Sequence, residues 1–133
     1  MLRIAIFDET KSRREDATRM ISAYYKTKGY CTEIKQFKDA KAFTASFQTN
    51  IFSAVFIGMN CMRDVDVAWV IRDRDKECPL VIISHDGDYS LEGYRLDAAG
   101  YLLEPLNEQK VYLALDLIMR SKLQAHTKHI LSG

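Results

Sequence analysis

Residues Ile51-Phe52-Ser53-Ala54-Val55-Phe56-Ile57-Gly58 form a short, continuous run in which six of eight side chains are apolar, several of them β-branched or aromatic. A run of this kind reads as a strand buried on both faces, as in the middle of a parallel sheet. In open α/β sheets, ligands and chemistry gather just beyond the carboxyl ends of such strands. The residue at that end is Gly58, which has no side chain to do chemistry with, and the polar Asn60 follows shortly after.

The flanking chain supplies the partners such a strand needs. Leu2 to Phe7 reads as a first buried strand closed by the acids Asp8 and Glu9. Thr10 or Ser12 can cap the helix that follows, with Glu15 at capping-box distance from Ser12. Ala17, Met20, Ile21, Tyr24 and Tyr25 recur at helical spacing until Gly29 supplies a stop. Tyr30 to Phe37 alternates roughly and suits a strand nearer the sheet edge. Asp39 can cap a short helix that turns Ala40, Phe43 and Phe47 inward.

Beyond the central run, Asp64 to Arg74 reads as a helix with Val67, Trp69, Val70 and Ile71 apolar. Trp69 is assigned to the core, and the charged end from Arg72 to Lys76 to a solvated face. Leu80 to Ser84 is a fourth strand ending in a hydroxyl, and His85-Asp86-Gly87-Asp88 a turn. Tyr89 to Ala98 reads as a helix, with Leu91, Tyr94 and Leu96 or Asp97 near its packing face. Tyr101 to Leu103 is a fifth strand, followed by Glu104-Pro105. Asn107 caps a last amphipathic helix carrying Val111, Leu113, Ala114, Leu115, Leu117 and Ile118. Gln124 to Gly133 has weak periodicity and reads as a linker-like tail, which leaves residues 1–123 as the domain. Five strand-then-helix units argue a doubly wound parallel sheet, whose right-handed crossovers bring the ends of strands one, three, four and five to one edge.

Composition excludes several classes. At 133 residues the chain makes one domain able to bury a core, and 47% hydrophobic residues are too many for a disordered chain. Nineteen basic residues against eighteen acidic ones give no footprint for nucleic-acid binding by this domain. Cys31, Cys61 and Cys78 lack metal-ligand spacing and read as reduced thiols. No apolar run approaches the roughly 20 residues of a membrane helix, and no signal peptide is visible, so a cytoplasmic protein is expected.

Four positions converge at the strand-end edge: Asp8-Glu9, Gly58, Ser84 and Glu104-Pro105. With these, the chain from about Leu2 to Lys122 resembles a response-regulator receiver domain of two-component phosphorelay signalling. The stretch from Asp88 to Pro105, ending Tyr-Leu-Leu-Glu-Pro, resembles in particular the receivers of LytTR-type transcription regulators. The resemblance implies a (βα)5 flavodoxin-like fold with strand order 2-1-3-4-5. In that family an acidic pair after strand one holds Mg²⁺ and an aspartate ending strand three accepts a phosphoryl group. A Ser or Thr ending strand four bonds the phosphoryl oxygens, and a lysine before a proline neutralises their charge, as phosphoryl transfer requires. Asp8 and Glu9 match the acidic pair, Ser84 the hydroxyl and Tyr101 the aromatic whose rotamer reports the active state. Gly58 stands at the acceptor position and Glu104 at the lysine.

Those two departures remove both the nucleophile and the fixed cation, and Gly58 also deletes a Mg²⁺ ligand, which weakens the ion's site. The expectation is a non-enzymatic pseudo-receiver that works without phosphorylation and without a cofactor. Gathered carboxylates recruit a positive partner; His85 is the candidate, with Lys11 and Arg63 beside it, although an exposed turn histidine is the simpler reading. No histidine base is identifiable for Ser84 as a nucleophile, Cys61 reads as an inert thiol, and Asp64 lies beyond reach of the acidic pair. The resemblance further implies a homodimer through the face of helix four, strand five and helix five, where Tyr89, Tyr94 and Tyr101 fall. It also implies that DNA is contacted only by a module outside this chain. A stand-alone adaptor with the same fold is the alternative; a flavodoxin-like enzyme is disfavoured by the lack of a glycine-rich phosphate cradle.

Overall fold

A computed structural model describes residues 1–85 and 87–132, with side chains described through residue 120 apart from positions 86 and 88. Five parallel strands, β1 (Leu2–Phe7), β2 (Thr32–Phe37), β3 (Ala54–Met59), β4 (Leu80–Ser84) and β5 (Gly100–Leu103), form one sheet in the order β2-β1-β3-β4-β5. The helices between them are α1 (Lys11–Thr27), α2 (Ala40–Ser46), α3 (Met62–Arg74), α4 (Ser90–Arg95) and α5 (Glu108–Ser132). All six residues of β3 are buried, as a central strand covered on both faces requires.

Side chains alternate along each strand and build two cores. Ala5, Phe7, Val55, Ile57 and Ile82 pack under α2 and α3 with Phe43, Val65, Ala68 and Ile71. Ile4, Ile6, Phe56, Val81 and Ile83 pack under α1 and α5 with Ile21, Tyr24, Val111 and Leu115. The predicted inward face of α1 is buried at all five positions, and Gly29 ends that helix with a φ of +82°, the left-handed region that favours glycine. Asp39 caps α2 by accepting the Lys41 N–H at 2.9 Å, and Asn107 caps α5 by accepting the Lys110 N–H at 2.8 Å.

Elsewhere the structure departs from the local reading. The Ser12–Glu15 capping box does not form, because α1 already begins at Lys11 with Thr10 at its cap position. Trp69 is 40% exposed rather than core, since α3 turns Val65, Val67, Ala68 and Ile71 inward instead. Helix α4 stops at Arg95 and leaves Leu91 and Tyr94 exposed, while Leu96 just past it is fully buried. At the charged end of α3, Asp73, Arg74 and Lys76 are exposed as a solvated face requires, but Arg72 and Asp75 are buried. Arg72 donates to the carbonyls of Asp75, Cys78, Leu96 and Asp97, and the Asp75 carboxylate accepts the N–H groups of Asn50, Glu77 and Cys78. Helix α5 runs through most of the segment read as a tail, with no proline or glycine between Glu108 and Ser132 to stop it.

Candidate functional site

The parallel register sets Asp8 beside Gly58 at the carboxyl edge, since Phe7 pairs with Ile57 one residue earlier. Asp8 is buried, and its Oδ1 accepts the Thr10 N–H at 2.8 Å and Asn60 Nδ2 at 3.2 Å. Its main-chain carbonyl accepts from Arg14 at 2.7 Å. The carboxylate so held lies over Gly58: a Cβ there would stand 2.6 Å from Asp8 Cγ and 3.1 Å from Asp8 Cβ, and closer still to Oδ2. The space that an aspartate at position 58 would need is taken by the side chain of Asp8, just past the end of β1.

Ser84 and Glu104 are joined through the backbone, the Ser84 carbonyl accepting the Glu104 N–H at 2.7 Å. The Ser84 hydroxyl is buried and has no hydrogen-bond partner among the described residues. Glu104 lies 3.3 Å from the guanidinium of Arg13, which also donates to Asn60 Oδ1. Arg63 donates to Glu9 at 2.7 Å. His85, directly after Ser84, is exposed, and its charge works on Glu104 less strongly than that of Arg13. Arg13 is thus the cation that pairs with Glu104 among the described residues, and sequence reasoning did not single it out. A signal existed: the first turn of α1 carries Arg13 and no acid, against the preference of a helix N-terminus for negative charge, which points to a specific partner.

Asp64 is nearer the acidic pair than expected. It is buried, its Oδ2 accepts the Asn60 N–H at 2.8 Å, and its Oδ1 has no partner among the described residues. Asn60 therefore bridges Asp8 and Asp64. Burial raises the Asp8 carboxyl above its ordinary value; the Thr10 N–H, Arg13 and Asn60 pull it down, and the Asp64 charge adds to the rise. Burial likewise raises Glu104, with Arg13 and His85 opposing and Asp8 and Asp16 adding.

A carboxyl that binds its proton more tightly when folded makes stability rise as pH falls through the folded pKa, and costs stability above it. Asp8→Asn, which mimics the protonated group, is therefore expected to raise the urea midpoint at pH 7 relative to wild type. The advantage should be lost as pH falls below the unfolded value of 3.8. A variant less stable than wild type at pH 7 would contradict this account of Asp8.

The residues present do not fit the Mg²⁺ that the resemblance implies. Gly58 offers no oxygen, Glu9 is engaged by Arg63, and one oxygen of Asp8 already accepts two hydrogen bonds. Among the described residues, no three His, Cys, Asp or Glu side chains are grouped to hold a metal ion. On the α4–β5 side, Tyr89 and Tyr101 are half-buried against the core under α2 and α3, whereas Tyr94 is 85% exposed. Gly93 admits the Tyr101 ring: a Cβ there would lie 3.4 Å from Tyr101 Cδ2 and 3.1 Å from Ile82 Cδ1.

The strand order, the five covering helices and the strand-end edge define the fold as the flavodoxin-like one of response-regulator receivers. Comparison with solved structures agrees. The chain is similar to the non-phosphorylated HemR receiver domain of Leptospira biflexa, with a TM-score of 0.73 and 16% identity over 89% of this chain and 94% of that one. It is similar to a response regulator receiver domain protein of Clostridium thermocellum, with a TM-score of 0.70 and 17% identity over 93% and 99% of the two chains. The Vibrio cholerae chemotaxis protein CheY4 gives a TM-score of 0.68 and 18% identity over 89% and 98%. At these identities the likeness is one of fold. No protein-family model matches the sequence, and comparison with curated proteins finds no match.

Proposed function

We propose that this chain is a receiver-type signalling domain, non-enzymatic, whose output does not depend on phosphorylation. The observation that carries the reading is the Asp8 carboxylate lying over Gly58, where the resemblance to receivers implies an acceptor side chain. The substitution of Glu104 for the charge-neutralising lysine, with Arg13 against it, supports the same reading. The protein is expected to gain no phosphate when incubated with a small acyl-phosphate donor and Mg²⁺, as read by intact mass. A labile adduct would mean that another carboxylate has taken the acceptor role and would overturn the proposal.

The likeness of residues 88–105 to LytTR-type receivers supports a place in a bacterial transcription regulator, with the DNA contact in a module outside this chain. Exposed Leu91, Tyr94, Leu103, Leu113 and Leu117 on α4, β5 and α5 favour a homodimer through that face. In the adaptor reading the same face docks another protein. Sedimentation across a range of concentrations separates the two, and a strict monomer would remove the homodimer.

A further inference from the structure

The mismatch with Mg²⁺ has a positive side, which rests on the reading above and deepens it. We propose that Arg13 and Arg63 are standing counter-ions: two guanidiniums that pair with Glu104 and Glu9 and tie the loops of this edge together in place of a divalent cation and a lysine. Arg63, at the start of α3, reaches across to Glu9 after β1 at 2.7 Å. Arg13, at the start of α1, sits 3.3 Å from Glu104 after β5 and bonds Asn60 in the β3–α3 loop. Between them they engage the loops after β1, β3 and β5, three of the strand ends at which an ion or phosphoryl group would act.

The charges point in the same sense. Asp8, Glu9, Asp64 and Glu104 bring four acids to the edge, where Asp64 repels the charge of Asp8 and Asp8 that of Glu104, and the two guanidiniums offset two of them. Arginine suits the task because its planar fork holds an acceptor in fixed geometry and stays charged at any physiological pH. A mobile Mg²⁺ would compete with Arg63 for Glu9 and would meet an Asp8 oxygen already bonded to Thr10 and Asn60. The edge is thereby kept in one arrangement whether or not magnesium is present.

The test is thermal unfolding of the full chain with and without millimolar Mg²⁺ at matched ionic strength. Wild type should show the same Tm in both. Arg13→Ala with Arg63→Ala should lower Tm by several degrees and regain part of that loss on adding Mg²⁺. A wild-type Tm that rises with Mg²⁺, a double variant as stable as wild type, or a loss that Mg²⁺ leaves untouched would each overturn the counter-ion role. Should the double variant not fold, a charge exchange decides. Arg13→Glu alone should lower Tm, and adding Glu104→Arg should recover at least half of the loss; no recovery would overturn the proposal. Phosphate uptake at another carboxylate would defeat the earlier reading without changing these Tm values, so the two failures are distinguishable.

Discussion

Arg72→Ala is expected to cost about 3–5 kcal/mol of stability, seen as a fall in Tm of roughly 10 °C or more. Arg72 is 8% exposed and serves four main-chain carbonyls on two loops, those of Asp75 and Cys78 before β4 and of Leu96 and Asp97 before β5. Hydrogen bonds from a charged donor contribute about 1.5–3 kcal/mol each, and buried acceptors left bare cost about 1–3 kcal/mol, although such terms do not add fully. The loss is a large part of the roughly 5–15 kcal/mol that holds a domain together. Arg72→Lys should recover less than half, because one ammonium cannot span both loops as the guanidinium fork does. Denaturant unfolding of the two variants checks this, and an Ala variant within about 1 kcal/mol of wild type would refute the role given to Arg72.

Gly58→Ala should cost about 2–4 kcal/mol, an unusual penalty for a glycine in a strand, where alanine is ordinarily no worse. The added Cβ must push the Asp8 carboxylate off its place, breaking its bonds to Thr10 and Asn60 in a buried site. The coupling is specific: in an Asp8→Ala background the same substitution should cost less than about 1 kcal/mol, a non-additivity that a double-mutant cycle measures. Gly58→Asp should be worse than Gly58→Ala, since it sets a second carboxylate against the first, and should not by itself make the protein a phosphate acceptor. Equal costs in both backgrounds would show that Asp8 does not fill the site.

These two residues mark opposite ends of what can be read from the chain directly. The run Ile51–Gly58, the inward stripe of α1 and the strand-end acids follow from apolar periodicity and turn residues, which are local properties. The resemblance carried by Asp8, Glu9, Ser84 and Tyr101 is likewise a matter of residues at set spacings. Arg72 sits in a stretch of alternating charges that reads as solvated, and nothing local says that carbonyls 24 and 25 residues later will close over it. The link from Asp64 to Asp8 was hidden in the same way, because Asn60, whose N–H bonds Asp64, reaches Asp8 with its side chain across the β1–β3 pairing.

Linear order therefore carried the doubly wound topology through its periodicity, and the absence of a side chain at Gly58 and of a cation at Glu104 through residue identity. Tertiary structure alone decided what stands in their place. Asp8 fills the space over Gly58 because β1 and β3 pair in a register that sets them side by side. Arg13 meets Glu104 because α1 and the β5–α5 loop close on one edge, 91 residues apart in the chain. Charge finds charge through space, and distance through space is the quantity that a sequence does not carry.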